Sequence, residues 1–356
     1  MPLSAFYLKL FHPLAGADPA AITYLQSLLT NDNANLALIR QAARIYSRRR
    51  RNLIHPTYAD DSEGEVGPFD SSETILIVGS WRSGTTLLHE LMAADGLNYT
   101  CRTIDAIFPA DPGRHLKHRH RLLNTMLPAN RKFDLVRIMS NSAQEEEFAL
   151  AQMAAPSVFL SCYFPSMRQE FLNEALNFEG LRPNARQIWS RCHLAMSHRL
   201  YTKYAAARRP ELPPKRLILK NPANSTRIKT ILKLYRNTKF IRILRTVDHV
   251  VPSITRMMNI ATRQFSLERR FKPVDDSDSD AFVEILLERL DADWKSLPKG
   301  SRQTVDYEDL VRDPMSVIDQ IYSRFGFALP PGRRDKIEKF WTTTASQWRR
   351  PQPPLS

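Results

Sequence analysis

A chain of 356 residues with 43% hydrophobic content is long enough for one large α/β domain or two small ones, and it can bury a full core. Its formal net charge of +14 favours anionic partners, among them nucleotides, sulfated or phosphorylated molecules, nucleic acid and acidic membrane, without choosing between them. Three widely separated cysteines, Cys101, Cys162 and Cys192, exclude a disulfide framework and a close-spaced zinc site, and no uncharged apolar run reaches the ~20 residues that span a bilayer.

The opening segment, MPLSAFYLKLFHPLAGADPAA, lacks the basic head, apolar core and small-residue cleavage site of a secretory leader, so a soluble cytoplasmic protein is expected. Residues 1–70 read as a helical extension and linker. AITYLQSLLTNDNANLALIRQAARIYSRRRRNL has helical apolar spacing broken between Asn31 and Asn35. Its basic end, Ser47 to Arg51, suits a solvated helix terminus, with peripheral contact to an acidic membrane as the lesser alternative. HPTYADDSEGEVGPFDSS is polar and turn-rich, which starts the folded domain, residues 71–330, near Glu73. Residues 331–356 are expected to form a tail.

TILIVG is a short β-branched run and predicts a buried strand; GTTLLHELMAADG predicts a helix closed by Gly96. RHLKHRHRLL predicts a basic helix whose histidine spacing is poor for a metal, and NSAQEEEFALAQMAA and NARQIWSRCHLAMSHRLYTKYAAARR predict two more helices. KRLILK and KFIRILR are further core strands, each followed by a helix, ANSTRIKTILKLY and VVPSITRMMNIATRQF. Helix DAFVEILLERLDADWKSL, strand RQTVDY and helix PMSVIDQIYSRFG complete the pattern. Strands alternating with helices predict an α/β fold, a mostly parallel sheet covered by helices on both faces.

Between the first strand and its helix lies VGSWRSGTT, Val78 to Thr86. Gly79 and Gly84 have the separation of an ATPase phosphate loop, but Thr85 stands where that loop has lysine, and a cation, Arg82, precedes the second glycine. Strand, glycine turn and helix N-terminus direct backbone N–H groups at an anion, and Thr85 and Thr86 add hydroxyls. The second and third core strands end at Lys220 and Arg245, cations at places where an Mg-ATP enzyme has an acid. Asp248 lies close enough to keep a small-molecule P-loop kinase as the alternative. RTVDHVVPS sets Arg245 and Ser253 eight residues apart, a strand-end guanidinium and a helix hydroxyl that can grip one phosphate. Loop and pair together imply a ligand with two separate anionic groups and no need for a metal.

This combination resembles the P-loop sulfotransferases that use 3′-phosphoadenosine 5′-phosphosulfate (PAPS), in their bacterial-type branch. Arg82-Ser83-Gly84-Thr85-Thr86 matches the family's 5′-phosphosulfate loop, continued by Leu87, and Arg245 with Ser253 matches its 3′-phosphate pair. Lys220, in LKNP, takes the place of the family's strand-end lysine. VDYEDLVRDP is similar to a later family segment that would place Tyr307 near the nucleotide, and QEEEFAL, Gln144 to Leu150, is similar to an acidic helix of the bacterial branch. The resemblance covers about residues 74–327 and implies sulfuryl transfer to a hydroxyl or amine, without metal. Carbohydrate, other small molecule, peptide and lipid all stay open as acceptors. Arg82 and Lys220 are then assigned to the leaving phosphate and the sulfuryl group. The Lys-Thr-His base of the family's cytosolic branch is absent, since Lys220 is followed by Asn221 and Pro222. A carboxylate is expected instead: Glu90, four residues after Thr86 on the same helix face, ahead of Asp105, with His89 a weaker candidate. Trp81, beside Arg82, is read as core packing, with a wall of the acceptor pocket as the alternative. A basic nucleic-acid-binding module is the third reading, without a zinc finger, stacking motif or helix-turn-helix to support it.

Overall fold

The computed structural model describes residues 73–109, 116–131, 136–153, 155–205 and 215–348. The expected N-terminal extension lies outside them. In chain order the elements are β1 (Thr74–Gly79), α1 (Thr85–Ala94), β2 (Asn98–Thr100), α2 (Thr103–Ile107), α3 (Leu116–Met126), α4 (Glu146–Gln152), α5 (Leu160–Tyr163), α6 (Arg168–Asn177) and α7 (Ala185–Tyr204). There follow β3 (Arg216–Lys220), α8 (Ile228–Leu234), β4 (Thr238–Leu244), α9 (Val247–Phe265), α10 (Asp276–Ser296), β5 (Arg302–Asp306), α11 (Tyr307–Arg312), α12 (Pro314–Phe325) and α13 (Pro331–Trp348).

The five strands form one parallel sheet in the order β2-β3-β1-β4-β5. Every residue of β1 and β3 is buried, as expected of central parallel strands with both faces covered. Side chains alternate across a strand, so one strand feeds two cores. Leu76 and Val78 pack with Trp189, Leu219 and Ile231 on one face, while Ile75 and Ile77 pack with Leu88, Ile318 and Trp341 on the other. A third cluster joins α6, α9 and α10 around Trp81, whose ring stacks on Phe282 at 5.5 Å.

Three findings depart from the sequence reading. β2 is a strand only three residues long, too short to show a period, and it joins the sheet beside β3. The helix expected over Ala223–Tyr235 is split, because Asn221 caps a 3₁₀ turn over Pro222–Thr226 before α8 begins. The expected C-terminal tail is corrected over residues 331–348: these form α13, opened by Pro331 at a position where its missing N–H is harmless. Ile337 and Trp341 of α13 are buried in the core that holds α1 and α12. Among the described residues, no helix is long and apolar enough to cross a membrane.

β1 runs between β3 and β4, all three parallel, so Gly79, Lys220 and the residue after Leu244 reach the same edge of the sheet. In open α/β sheets that carboxyl edge is where ligands bind. Topology thus gathers three motifs separated by about 160 residues of chain.

Candidate active site

The loop after β1 is shaped by its glycines. Gly79 has φ 132°, and a Cβ there would lie 2.9 Å from the Ile243 carbonyl oxygen of the neighbouring strand. Its N–H donates to Ser225 Oγ, which donates back to the Gly79 carbonyl, each at 3.0 Å. Gly84 has φ 95°, and a Cβ there would come within 2.5 Å of the Tyr307 ring. Arg82 also adopts a positive φ, 68°, a conformation uncommon outside glycine. The first turn of α1 contains no acidic residue and no side-chain cap, which leaves its amides for an anion.

Arg82 and Arg245 meet at the mouth of this loop. Arg245 Nη1 donates to the Arg82 carbonyl at 2.6 Å, and Arg245 Nε is buried without a hydrogen-bond partner among the described residues. The Arg245 guanidinium lies 4.1 Å from the centre of the Tyr307 ring, so Tyr307 fills the space over Gly84 and supports Arg245 together. Arg82 Nε donates to Ser253 Oγ at 2.8 Å. The two anion cradles expected from sequence are therefore joined through Arg82 rather than standing apart.

Lys220 is almost fully enclosed. Its Nζ donates to Glu145 Oε1 at 2.5 Å and to Thr86 Oγ1 at 3.3 Å. Burial lowers the lysine's proton affinity, and the Glu145 carboxylate works to restore it. Trp81 Nε1 donates to the other Glu145 oxygen at 3.1 Å. Trp81 is thus both core packing, as expected, and an anchor for this acid. Glu145 is the site residue that the sequence reading missed. The run Glu145-Glu146-Glu147 puts three acids at the start of one helix, yet all three are buried. Glu145, at the N-terminal cap, turns to Lys220. Glu146 accepts from Asn224 Nδ2 at 2.7 Å. Glu147 pairs with Arg227 at 2.8 Å, and accepts from Asn221 Nδ2 at 2.5 Å and from the Val158 amide at 2.9 Å. Burial works to raise the Glu147 carboxyl, but Arg227 and these hydrogen bonds hold it below its ordinary value. The only trace in the sequence was the position of these acids in QEEEFAL.

Other expected site residues are placed as follows. Thr85 and Thr86 open α1, and both line the cavity beside the loop. Ser83 Oγ donates to the Ser80 carbonyl at 2.7 Å, so it shapes the turn and spends its proton internally. The Leu87 side chain points away from the loop and is buried in the core behind α1, so only its backbone N–H remains for a ligand. Asp105 does not meet the loop. It closes the capping box of α2 through the Arg102 amide at 3.0 Å, pairs with Lys203 at 2.5 Å and accepts from Tyr204 Oη at 2.9 Å. Those bonds engage both of its oxygens and leave it a structural acid. His89 Nε2 pairs with Thr100 Oγ1 at 2.6 Å, turned toward β2, and burial depresses its proton affinity.

Glu90 as a whole is half-buried on α1, its carboxyl turned inward, and it is not among the residues that line the cavity. Burial pushes its carboxyl from the ordinary 4.5 up to about 7, against the Ala143 amide and the charges of Arg131, Lys220 and Arg102. A carboxyl raised in the folded state keeps its proton where the unfolded chain has lost it. Its stabilising contribution is then full below about pH 4.5 and is lost as pH rises through 7. Urea midpoints at pH 5 and pH 8 are expected to show a larger loss for wild type than for Glu90→Gln. Equal losses would remove Glu90 from that balance.

A model of the sulfotransferase family matches residues 74–331. The chain is 29% identical over 260 residues, 71% of its length, to the omega-hydroxy-beta-dihydromenaquinone-9 sulfotransferase Stf3 of Mycobacterium tuberculosis and to its namesake in Mycobacterium bovis, and it spans 62% of the length of those relatives. Among solved structures, sulfotransferase STF9 from Mycobacterium avium superposes with a TM-score of 0.63 at 14% identity, covering 99% of this chain and 90% of that one. Sulfotransferase STF1 from Mycobacterium tuberculosis does so with a TM-score of 0.56 at 18% identity, covering 91% and 88%. At such identities these two speak for a shared fold.

Proposed function

Because the chain belongs to the sulfotransferase family, we propose that it moves a sulfuryl group from PAPS to an acceptor hydroxyl by in-line transfer. The observation that carries the PAPS assignment is the convergence at the loop mouth: Arg245 reaches the Arg82 carbonyl while keeping a buried, unpartnered Nε beside it. A buried guanidinium nitrogen with no partner among the described residues, at the mouth of a loop that leads into an uncapped helix N-terminus, fits a bisphosphorylated adenosine, with Arg245 and Ser253 on the 3′-phosphate and the loop amides, Thr85 and Thr86 on the 5′ end. The relatives described above are named for an omega-hydroxy acceptor, which supports a hydroxyl here.

When bound, the donor supplies an activated sulfuryl group. The acceptor oxygen forms a new bond to sulfur as the bond from sulfur to the 5′-phosphate oxygen breaks, and the electron pair remains on that oxygen. Arg82, Lys220 and the α1 amides neutralise this charge, which develops most in a loose transition state. The acceptor proton passes to a carboxylate. We assign that role to Glu145 in preference to Glu90 and Asp105, because Glu145 lines the cavity and touches Lys220. An incoming anionic donor gives Lys220 a second anionic partner and loosens its hold on Glu145. A general base contributes about 10²–10⁴ in rate, so Glu145→Gln is expected to lose at least 10²-fold in turnover with nucleotide affinity changed only a few-fold. Glu90→Gln is expected to lose far less. The reverse pattern would move the base to Glu90.

Calorimetry with 3′-phosphoadenosine 5′-phosphate, the product nucleotide, tests the donor. Binding at least 10-fold tighter than that of Mg-ATP is expected. Tighter Mg-ATP binding would favour the kinase reading, and salt-sensitive DNA binding without nucleotide binding would favour the nucleic-acid one.

A further inference from the structure

Helix α9 carries Ser253, Met257, Ala261 and Phe265 at four-residue intervals, which sets them on one face. Ser253 holds Arg82 at the loop. The other three line a cavity of about 230 Å³ that also reaches Arg82, Thr85, Thr86 and Glu145. From Met257 to Phe265 the helix advances ~12 Å. Phe148 and Phe159 stack at 3.8 Å and line the same cavity.

Among the described residues, charge in the lining is confined to Arg82, Glu145 and Arg131. Arg131 lies near enough to act on Lys220 and Glu90, so the charged groups gather at the reacting end. Away from that end the walls are dominated by methionine, phenylalanine, leucine and valine side chains. The lining also holds Gln144, Gln152 and Ser161, but Gln144 accepts from the Glu145 amide, Gln152 donates to the Ala106 carbonyl and Ser161 to the Val158 carbonyl, so a polyhydroxylated acceptor would find few partners there, whereas each buried methylene improves affinity roughly fourfold.

We propose that the acceptor is an elongated, largely apolar alcohol that lies along α9, its hydroxyl at Glu145 and its body passing Met257, Ala261 and Phe265 in turn. The catalytic part of this proposal rests on the sulfuryl-transfer reading; the binding part does not. One helix then holds the donor through Ser253 and measures the acceptor from the same origin, and Ala261, the smallest residue of the face, sets the passable width at mid-length.

The test compares 1-decanol, 1-butanol and methyl glucoside. In the nucleotide-free protein, calorimetry is expected to show 1-decanol binding at least 100-fold tighter than 1-butanol. With PAPS, kcat/KM is expected to follow the same order, with methyl glucoside the poorest. Ala261→Phe, or Ala261→Leu should the larger change fail to fold, is expected to weaken 1-decanol binding at least 10-fold while product-nucleotide affinity stays within threefold. Methyl glucoside turned over as well as 1-decanol, no dependence on chain length, or undiminished 1-decanol binding in the Ala261 variant would overturn the proposal. Chain-length-dependent 1-decanol binding without any nucleotide binding would sink the donor reading and keep the apolar ligand assignment.

Discussion

Replacing Arg82 by alanine is expected to lower sulfuryl transfer by at least about 10²–10³-fold, the usual cost of one preorganised donor at a developing charge. Arg82 is placed for that role by its backbone. Its positive φ at the crest of the loop leaves its carbonyl to Arg245 and sends its guanidinium to Ser253. The substitution keeps the carbonyl and hence the Arg245 contact, so product-nucleotide binding is expected to survive within about tenfold, which separates a catalytic loss from a collapsed site. Arg82→Lys restores charge without the planar fork and is expected to recover only part of the rate. Pre-steady-state turnover with saturating PAPS is the deciding measurement. Wild-type turnover in Arg82→Ala would remove the residue from the mechanism.

The largest effect on stability is expected from the ion pair behind the site. Glu147 and Arg227 are both fully buried, and each has further partners: Asn221 and the Val158 amide for the acid, the Ala175 carbonyl at 2.8 Å for the base. The Arg227 guanidinium also lies 5.0 Å from the Trp189 ring. Removing one member leaves the other charged and unpaired in the core, which typically costs about 3–5 kcal/mol. Glu147→Ala is expected to lose that much in urea unfolding. The double replacement Glu147→Leu with Arg227→Met is expected to recover a large share, because no uncompensated charge remains. Additive losses in the double variant would show that the separate hydrogen bonds, rather than the pair, carry the effect. The pair also ties α4 to the turn after Lys220, so the partly recovered variant is expected to bind product nucleotide less tightly than wild type.

The alternation of apolar runs with amphipathic segments is enough to read β1, β3, β4 and β5 and most of the helices between them, since strand and helix periods are properties of neighbouring residues. Three residues of β2 carry no period, and α13 showed nothing that distinguishes a docked helix from a tail until Ile337 and Trp341 are seen in the core.

Local chemistry likewise made the loop legible. Gly79, Arg82, Gly84, Thr85 and Thr86 lie within eight residues, and their geometry depends on φ and on the start of one helix. The amino-acid order alone thus determined the sheet's central strands, the glycine turn after β1, and cations at the ends of β3 and β4. It left undecided which acid serves the site. Asp105, Glu90 and Glu145 differ little as letters, and their roles depend on partners far along the chain: Lys203, Ala143 and Lys220, respectively. Only packing brings those partners within hydrogen-bond reach. A carboxylate's direction and proton affinity are set by the burial and charges around it, so that choice belongs to the tertiary structure.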